Sequence, residues 1–89
     1  MTFLGATFQA LTANEKTKYH VDGGFKITTL DQGKLKSAGM SAGFILLTVD
    51  RKPMRTTQDL KEALTDRQGG ILIEGIYPNG LRVYYGIGL

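Results

Sequence analysis

The chain contains no cysteine and a single histidine, and no run of apolar residues approaches the length that spans a bilayer. Without cysteine, neither disulfides nor thiolate metal sites can form, and the redox compartment stays undetermined. The first residues also lack a basic segment followed by an apolar stretch, so we expect no export signal within them and no membrane insertion. The 89 residues suffice for one domain with a single core.

The residue types that catalysis needs are equally scarce. His20 lies in a polar turn before Asp22, and one histidine without cysteine argues against a tetrahedral nitrogen and sulfur site for a metal. Ser37 and Ser41 flank a predicted helix end and have no nucleophile-elbow motif beside them, so no Ser-His-Asp arrangement is supported. The two Gly-Gly pairs match neither a phosphate loop nor a dinucleotide fingerprint. We therefore expect no catalytic residue, no metal and no cofactor in this chain.

The net charge of +3 raises the question of nucleic-acid binding. The eleven basic residues are spread from Lys16 to Arg82, and their densest group, at 51–55, lies in a predicted connection between a strand and a helix. Nucleic-acid modules usually gather their basic residues on one face, often beside exposed aromatic rings. We expect ordinary solubility charges and no nucleic-acid partner.

The hydrophobic pattern predicts a mostly β chain. The first strand, residues 4–11, alternates so that one face carries Leu4, Ala6, Phe8 and Ala10. The nearly continuous apolar run Phe44–Val49 indicates a strand buried on both sides, and Pro53 is expected to help stop this strand. Asn79-Gly80 predicts a closing hairpin. The remaining predicted strands are Phe25–Leu30, Phe44–Val49, Ile71–Tyr77 and Leu81–Ile87.

Three short helices are predicted between the strands. Thr12 with Glu15, and Thr56 with Asp59, have the spacing of capping boxes that start a helix. Gly39 is expected to close one or two helical turns over 33–40. The helix that follows Thr56 is predicted to run to about residue 65, with Gln68-Gly69-Gly70 ending it. This order predicts a small, partly open antiparallel barrel capped by two to three helices.

One segment resembles a known family. Residues 39–54, GMSAGFILLTVDRKPM, are similar to the G-Φ-x-x-G-D-x-I-L-x-V-N-G-x-P-V segment of PDZ domains from bacterial HtrA-type (Do-like, DegP/DegQ-type) serine proteases. The resemblance extends over 3–88. It implies a PDZ-like partly open barrel or sandwich, with 1–89 forming one domain of a larger protein, in the position of a C-terminal PDZ domain. It also implies the periplasm or cell envelope and a part in protein quality control.

The chain departs from that family pattern at several places. Phe44 replaces the usual aspartate, and Arg51 replaces the usual turn glycine, so we expect that turn to be built differently. Ala6 stands where many eukaryotic relatives carry a bulky residue. The loop around Gly33 is about one residue short of the commoner G-S-P-A pattern.

The resemblance places a carboxylate-binding loop at Leu4-Gly5-Ala6. We expect Gly5 there because close approach of a carboxylate to the backbone tolerates no side chain. A groove is predicted between strand 4–10 and helix 57–64, with Leu64 closing its floor and with Leu60 and Ala63 in the core. The predicted peptide-binding residues are Phe3, Leu4, Gly5, Ala6, Thr7, Phe8, Thr57, Lys61 and Leu64.

The function that these residues favour is capture of an extended peptide, or of an apolar C-terminus, by strand addition to an open edge. The implied partners are peptide segments of substrate proteins and other domains or subunits of a parent protease, for which the domain would act as a regulatory or substrate-tethering module. Thr57 stands where class-defining PDZ domains often carry histidine, so the usual hydroxyl preference should be weak. Lys61 would favour peptides that carry acidic residues upstream of an apolar terminus. The alternative is a structural clamp between domains or subunits that binds no free peptide.

Overall fold

The computed structural model describes residues 1–65 and 68–89, which form one open antiparallel sheet with three helices. The strand order is β1-β2-β3-β4-β6-β7, and β5 pairs with β4. The predicted fold class is confirmed. In chain order the elements are β1 (Thr2–Phe3), β2 (Ala6–Ala10), α1 (Ala13–Tyr19), β3 (Phe25–Leu30), α2 (Lys34–Ser37), β4 (Ile45–Val49), β5 (Lys52–Pro53), α3 (Thr57–Leu64), β6 (Gly70–Ile76) and β7 (Arg82–Gly88).

The first predicted strand is not continuous. Leu4 and Gly5 have φ angles of 54° and 87°, and this pair of positive φ values makes a two-residue turn that reverses the chain between β1 and β2. At the other end, Ala10 is exposed, contrary to the prediction from alternation. The strand ends there, and the next residue, Leu11, is buried instead. Alternation therefore predicted only the middle of this strand correctly.

Two hydrophobic clusters hold the sheet together. The larger one combines Ala6 and Phe8 of β2 with Leu60 and Leu64 of α3, among others. The smaller one consists of Leu11, Ile45 and Ile76. Because side chains alternate along a strand, Ile45 enters the smaller cluster whereas its neighbour Leu46 enters the larger one. At these two positions β4 is buried on both faces, as its apolar run predicted.

Both predicted capping boxes are present. The Thr12 hydroxyl accepts from the Glu15 N–H at 3.2 Å, and the Glu15 carboxylate accepts from the Thr12 N–H at 3.0 Å. The Thr56 hydroxyl accepts from the Asp59 N–H at 3.0 Å, and the Asp59 carboxylate accepts from the Thr56 N–H at 3.1 Å. Glu15 also forms an ion pair with Lys26 of β3. This lysine, with the Thr12 N–H, holds the pKa of Glu15 below its ordinary value.

The predicted end of α3 is confirmed to within one residue, but the glycine segment does not form it. The helix stops at Leu64, and Thr65 caps it with a hydroxyl that donates to the Lys61 carbonyl at 2.6 Å. Gly70 already belongs to β6, so the Gln68-Gly69-Gly70 segment leads into the strand. The two residues between Thr65 and Gln68 lie outside the described part of the chain.

The connection from β4 to β5 is a left-handed turn without glycine. Asp50 and Arg51 have φ angles of 50° and 69°, a region in which a non-glycine residue carries a conformational cost. Pro53 does not stop the preceding strand, contrary to prediction, because it pairs with Thr48 in β5. The reversal at Asp50-Arg51 ends β4. The hairpin of β6 and β7 is confirmed, with its register running from Gly70–Gly88 to Ile76–Arg82.

Candidate peptide-binding groove

Apolar side chains from β2 and α3 assemble the floor of the predicted groove. Ala6, Phe8 and Leu64 are all buried in the larger cluster, and Phe3 and Leu4 are half-buried against it. The rings of Phe3 and Phe8 lie 6.2 Å apart between centroids, inclined by 49°. The structure thus brings the apolar members of the predicted set into one cluster.

The Leu4-Gly5 turn rests on the backbone of residues 31–33. The Asp31 N–H donates to the Gly5 carbonyl at 2.8 Å. A Cβ placed on Gly5 would lie 2.6 Å from the carbonyl oxygen of Gln32, and one on Gly33 would lie 2.5 Å from that of Leu4. Close approach of two backbone segments, together with the positive φ of Gly5, therefore explains this glycine without any ligand.

The turn keeps two unused donors. No other residue in the described part of the chain accepts a hydrogen bond from the N–H of Leu4 or of Gly5. Unpaired N–H groups in a turn of this kind can bind an anion such as a terminal carboxylate. This is the chemistry that the sequence assigned to the loop.

Helix α3 presents two different faces. Leu60, Ala63 and Leu64 are buried, whereas Thr57 and Lys61 are exposed. Within the described ranges, the Lys61 ammonium has no carboxylate within ion-pair distance. Its charge is therefore available to a ligand that lies along the exposed side of the helix.

The Asp59 carboxylate, near the start of the same helix, is hydrogen-bonded within the capping box. The Asp59 carboxylate accepts from the N–H groups of Arg55 and Thr56, both at 3.1 Å. These two bonds stabilise the charged form and hold the pKa of Asp59 below its ordinary value. The capping box therefore accounts for Asp59 as a structural group.

The strand edge beside this groove is not open, contrary to the prediction. β1 pairs antiparallel with β2, so that Thr2 faces Thr7 and Phe3 faces Ala6. The Phe8 N–H also donates to the carbonyl of Met1 at 2.7 Å. The two-residue turn folds the preceding residues back onto the edge that a peptide was expected to use. Sequence reasoning missed this strand, and the signal that could have shown it is Leu4-Gly5 itself, read as a hairpin turn.

Phe44, which departs from the family pattern, lies in the larger core cluster. It is fully buried, and its ring lies 5.0 Å from that of Tyr77 and 5.3 Å from that of Tyr85. The two tyrosine hydroxyls are 2.6 Å apart, and that of Tyr77 accepts from the Ser41 N–H at 3.0 Å. Burial, with the neighbouring Tyr77, raises the pKa of Tyr85 to about 12. The backbone N–H of Ser41 therefore takes part in a structural contact.

The other possible catalytic side chains named in the sequence analysis, His20 and Ser37, lie at the ends of different helices. His20 is exposed and caps the end of α1 in a left-handed conformation, with φ at 56°. Ser37 is also exposed, at the end of α2. Among residues 1–65 and 68–89, no three His, Asp or Glu side chains gather as a metal site, and no helix is long and apolar enough to cross a membrane.

The open antiparallel sheet and its helices define a PDZ-like domain, and comparison with solved structures supports this assignment. The chain superposes on part of a structure described as "HtrA-type protease AlgW with decapeptide", with a TM-score of 0.73 and 21% sequence identity. The match covers 97% of this chain and 28% of that one, so the chain spans little more than a quarter of that protein's length. No family model matches the chain, and no curated protein matches it. At this identity the likeness establishes the fold.

Proposed function

We propose that this PDZ-like domain binds extended peptides, with a preference for an apolar C-terminus, in the groove between β2 and α3. The observation that carries the proposal is the meeting of three features: the edge of β2 that only the short strand β1 occupies, the apolar floor around Phe8 and Leu64, and the turn at Leu4-Gly5 with its two unused N–H donors. The matching protease was solved with a decapeptide, which supports a peptide as the ligand class.

In such a site, different groups would provide the affinity for a peptide and the selectivity among peptides. Backbone hydrogen bonds to β2 would hold any extended chain, whereas the apolar floor would select the side chain next to the turn. The Leu4 and Gly5 N–H groups would hold the terminal carboxylate. We expect a dissociation constant in the micromolar range, about −8 kcal/mol.

The biological role follows from the same resemblance. We infer that the domain is a regulatory or substrate-tethering module of an HtrA-type (DegP/DegQ) serine protease of the cell envelope, in which it serves protein quality control as a C-terminal PDZ domain. Several weak modules on one oligomer would then retain a substrate through effective concentration.

The test is a titration of the domain with labelled decapeptides that end in Phe or Leu, each also prepared as a C-terminal amide. Fluorescence polarisation gives the affinity, and amide chemical shifts give the place of binding. We expect micromolar binding of the free acids, shifts on β2 and α3, and affinity lower by about tenfold for the amides, since a charged hydrogen-bond acceptor is lost.

A pair of matched variants separates the groove from the rest of the surface. Thr57→Trp places a bulky ring at the predicted groove edge, whereas Gln58→Trp places the same ring at the next exposed position of α3. Only Thr57→Trp should weaken binding. Absence of saturation by every peptide, or equal effects of the two tryptophans, would contradict the proposed function.

A further inference from the structure

β2 offers only one edge to a ligand, and the chain itself occupies it. A strand has two edges for hydrogen bonding, and β3 takes one of them, from Ala6–Leu30 to Ala10–Phe25. β1 takes the other, opposite Ala6 and Thr7. A peptide that adds to β2 must therefore use the edge that β1 holds.

The direction of β1 is that of the proposed ligand. β1 runs antiparallel to β2, and its C-terminal end, Phe3, adjoins the Leu4-Gly5 turn. A peptide with its terminal carboxylate at this turn would run the same way. Phe3 is half-buried against the larger cluster, with its ring 6.2 Å from that of Phe8, and so lies where the last side chain of such a peptide would lie.

Only two residues of β1 pair with this edge of β2. The pairing ends at Thr2 opposite Thr7, with one further bond from the Phe8 N–H to the Met1 carbonyl. A terminal strand at the edge of a sheet that is held by so few backbone bonds belongs to the part of a fold that opens locally at low cost. A longer peptide would also reach the backbone of Ala10, which faces the same edge as Phe8 and which β1 does not pair with.

We propose that residues 1–3 are a ligand in cis, anchored by Phe3, and that an incoming peptide binds by displacing them. The inference rests on the proposed function and adds its regulation and its side-chain preference. The groove is closed in the resting domain, and it selects peptides that place an aromatic residue where Phe3 now lies. Any event that pulls residues 1–3 off β2 raises peptide affinity.

A reversible disulfide tests the displacement. Thr2 and Thr7 face each other, and their hydroxyl oxygens are 3.5 Å apart. Because the flanking Met1 and Phe8 share a hydrogen bond, Thr2 and Thr7 form the close, non-hydrogen-bonded kind of pair, with Cα atoms about 4.5 Å apart, a separation that a disulfide spans. The chain has no other cysteine, so Thr2→Cys with Thr7→Cys gives one possible bridge.

The probe is a fluorescein-labelled decapeptide that ends in Phe, titrated against the oxidised and the reduced double variant. Wild-type protein in the same two buffers is the control. We expect the oxidised form to bind at least about tenfold more weakly than the reduced form, a difference of about 1.4 kcal/mol, whereas wild type should bind equally in the two buffers. A decapeptide ending in Leu should bind more weakly than the one ending in Phe.

The outcomes are distinct. Equal binding by the oxidised and reduced forms would overturn the inference and leave the proposed function standing. Failure of the bridge to form would also overturn it, because the two residues would then not face each other. If neither the wild type nor the reduced variant binds any peptide, the proposed function fails and the inference fails with it.

Discussion

Replacement of Gly5 by alanine should destabilise the domain more than the same replacement at Gly39. The two glycines have similar positive φ angles, 87° and 94°. A Cβ on Gly5 would lie 2.6 Å from the Gln32 carbonyl oxygen, whereas a Cβ on Gly39 would meet nothing within 4 Å. Gly39→Ala is therefore a control. It puts an L residue at a positive φ angle, as Gly5→Ala does, but its Cβ meets no neighbouring atom.

The expected magnitudes follow from these two costs. A left-handed conformation costs an L residue roughly 1–2 kcal/mol, and both variants bear this. Gly5→Ala must also move the turn off the Asp31 and Gln32 backbone, for which the cost of overpacking, about 1–3 kcal/mol, is the guide. The expected losses are thus about 1–2 kcal/mol at Gly39 and about 2–5 kcal/mol at Gly5. Gly5→Val should lose more, so its loss of peptide binding would not by itself show that a ligand approaches Gly5.

Urea unfolding followed by circular dichroism measures the difference. A small domain has a slope of about 1–3 kcal/mol per molar urea, so the midpoint of Gly5→Ala should fall below that of Gly39→Ala by about 1 M. Equal midpoints would refute the steric argument and show that the turn moves away from Gln32 at no cost.

Three further changes test other parts of the structure. Leu64→Ala should lower the free energy of unfolding by about 2–5 kcal/mol, because Leu64 is buried in the core cluster, and a loss as small as that of exposed Glu62→Ala would place it on the surface. Acid should destabilise the domain. The Arg55 and Thr56 N–H groups hold the pKa of Asp59 below its ordinary 3.8, and Arg82, whose guanidinium donates to the Glu74 carboxylate at 2.6 Å, holds the pKa of Glu74 below its ordinary 4.5. The stability that these charges contribute is present above the ordinary values and is lost as the pH falls through the lower folded ones; a urea midpoint that does not change between neutral and acidic pH would contradict this. Lys61→Ala should remove a preference for acidic peptides of only about 0.2–1 kcal/mol that fades with salt, and identical peptide rankings by both proteins would show that Lys61 is an ordinary solvated residue.

The parts of the fold that the sequence predicted well are those built from neighbouring residues. Both capping boxes join groups three residues apart, at Thr12 and Thr56, and the hairpin around Asn79-Gly80 depends on its own turn. The buried face of α3, with Leu60 and Leu64, follows from helical periodicity. Such features require only local backbone geometry, so they can be identified along the chain.

Two of the features that the sequence analysis did not reveal depend on distant segments, and a third, the pairing of β1 with β2, is a local hairpin whose turn was not recognised. The meeting of the Leu4-Gly5 turn with Gln32 explains Gly5, and neither the contact nor the clash is visible from the residues around it. Leu11 replaces Ala10 in the core because β4 and β6 bring Ile45 and Ile76 to that end of the sheet. The pairing of residues 1–3 with β2 closes the edge that peptide capture by strand addition was expected to use. Alternation tells which side chains face the core, but the occupant of a strand's edge is set by whichever segment the folded chain brings to its unpaired N–H and C=O groups.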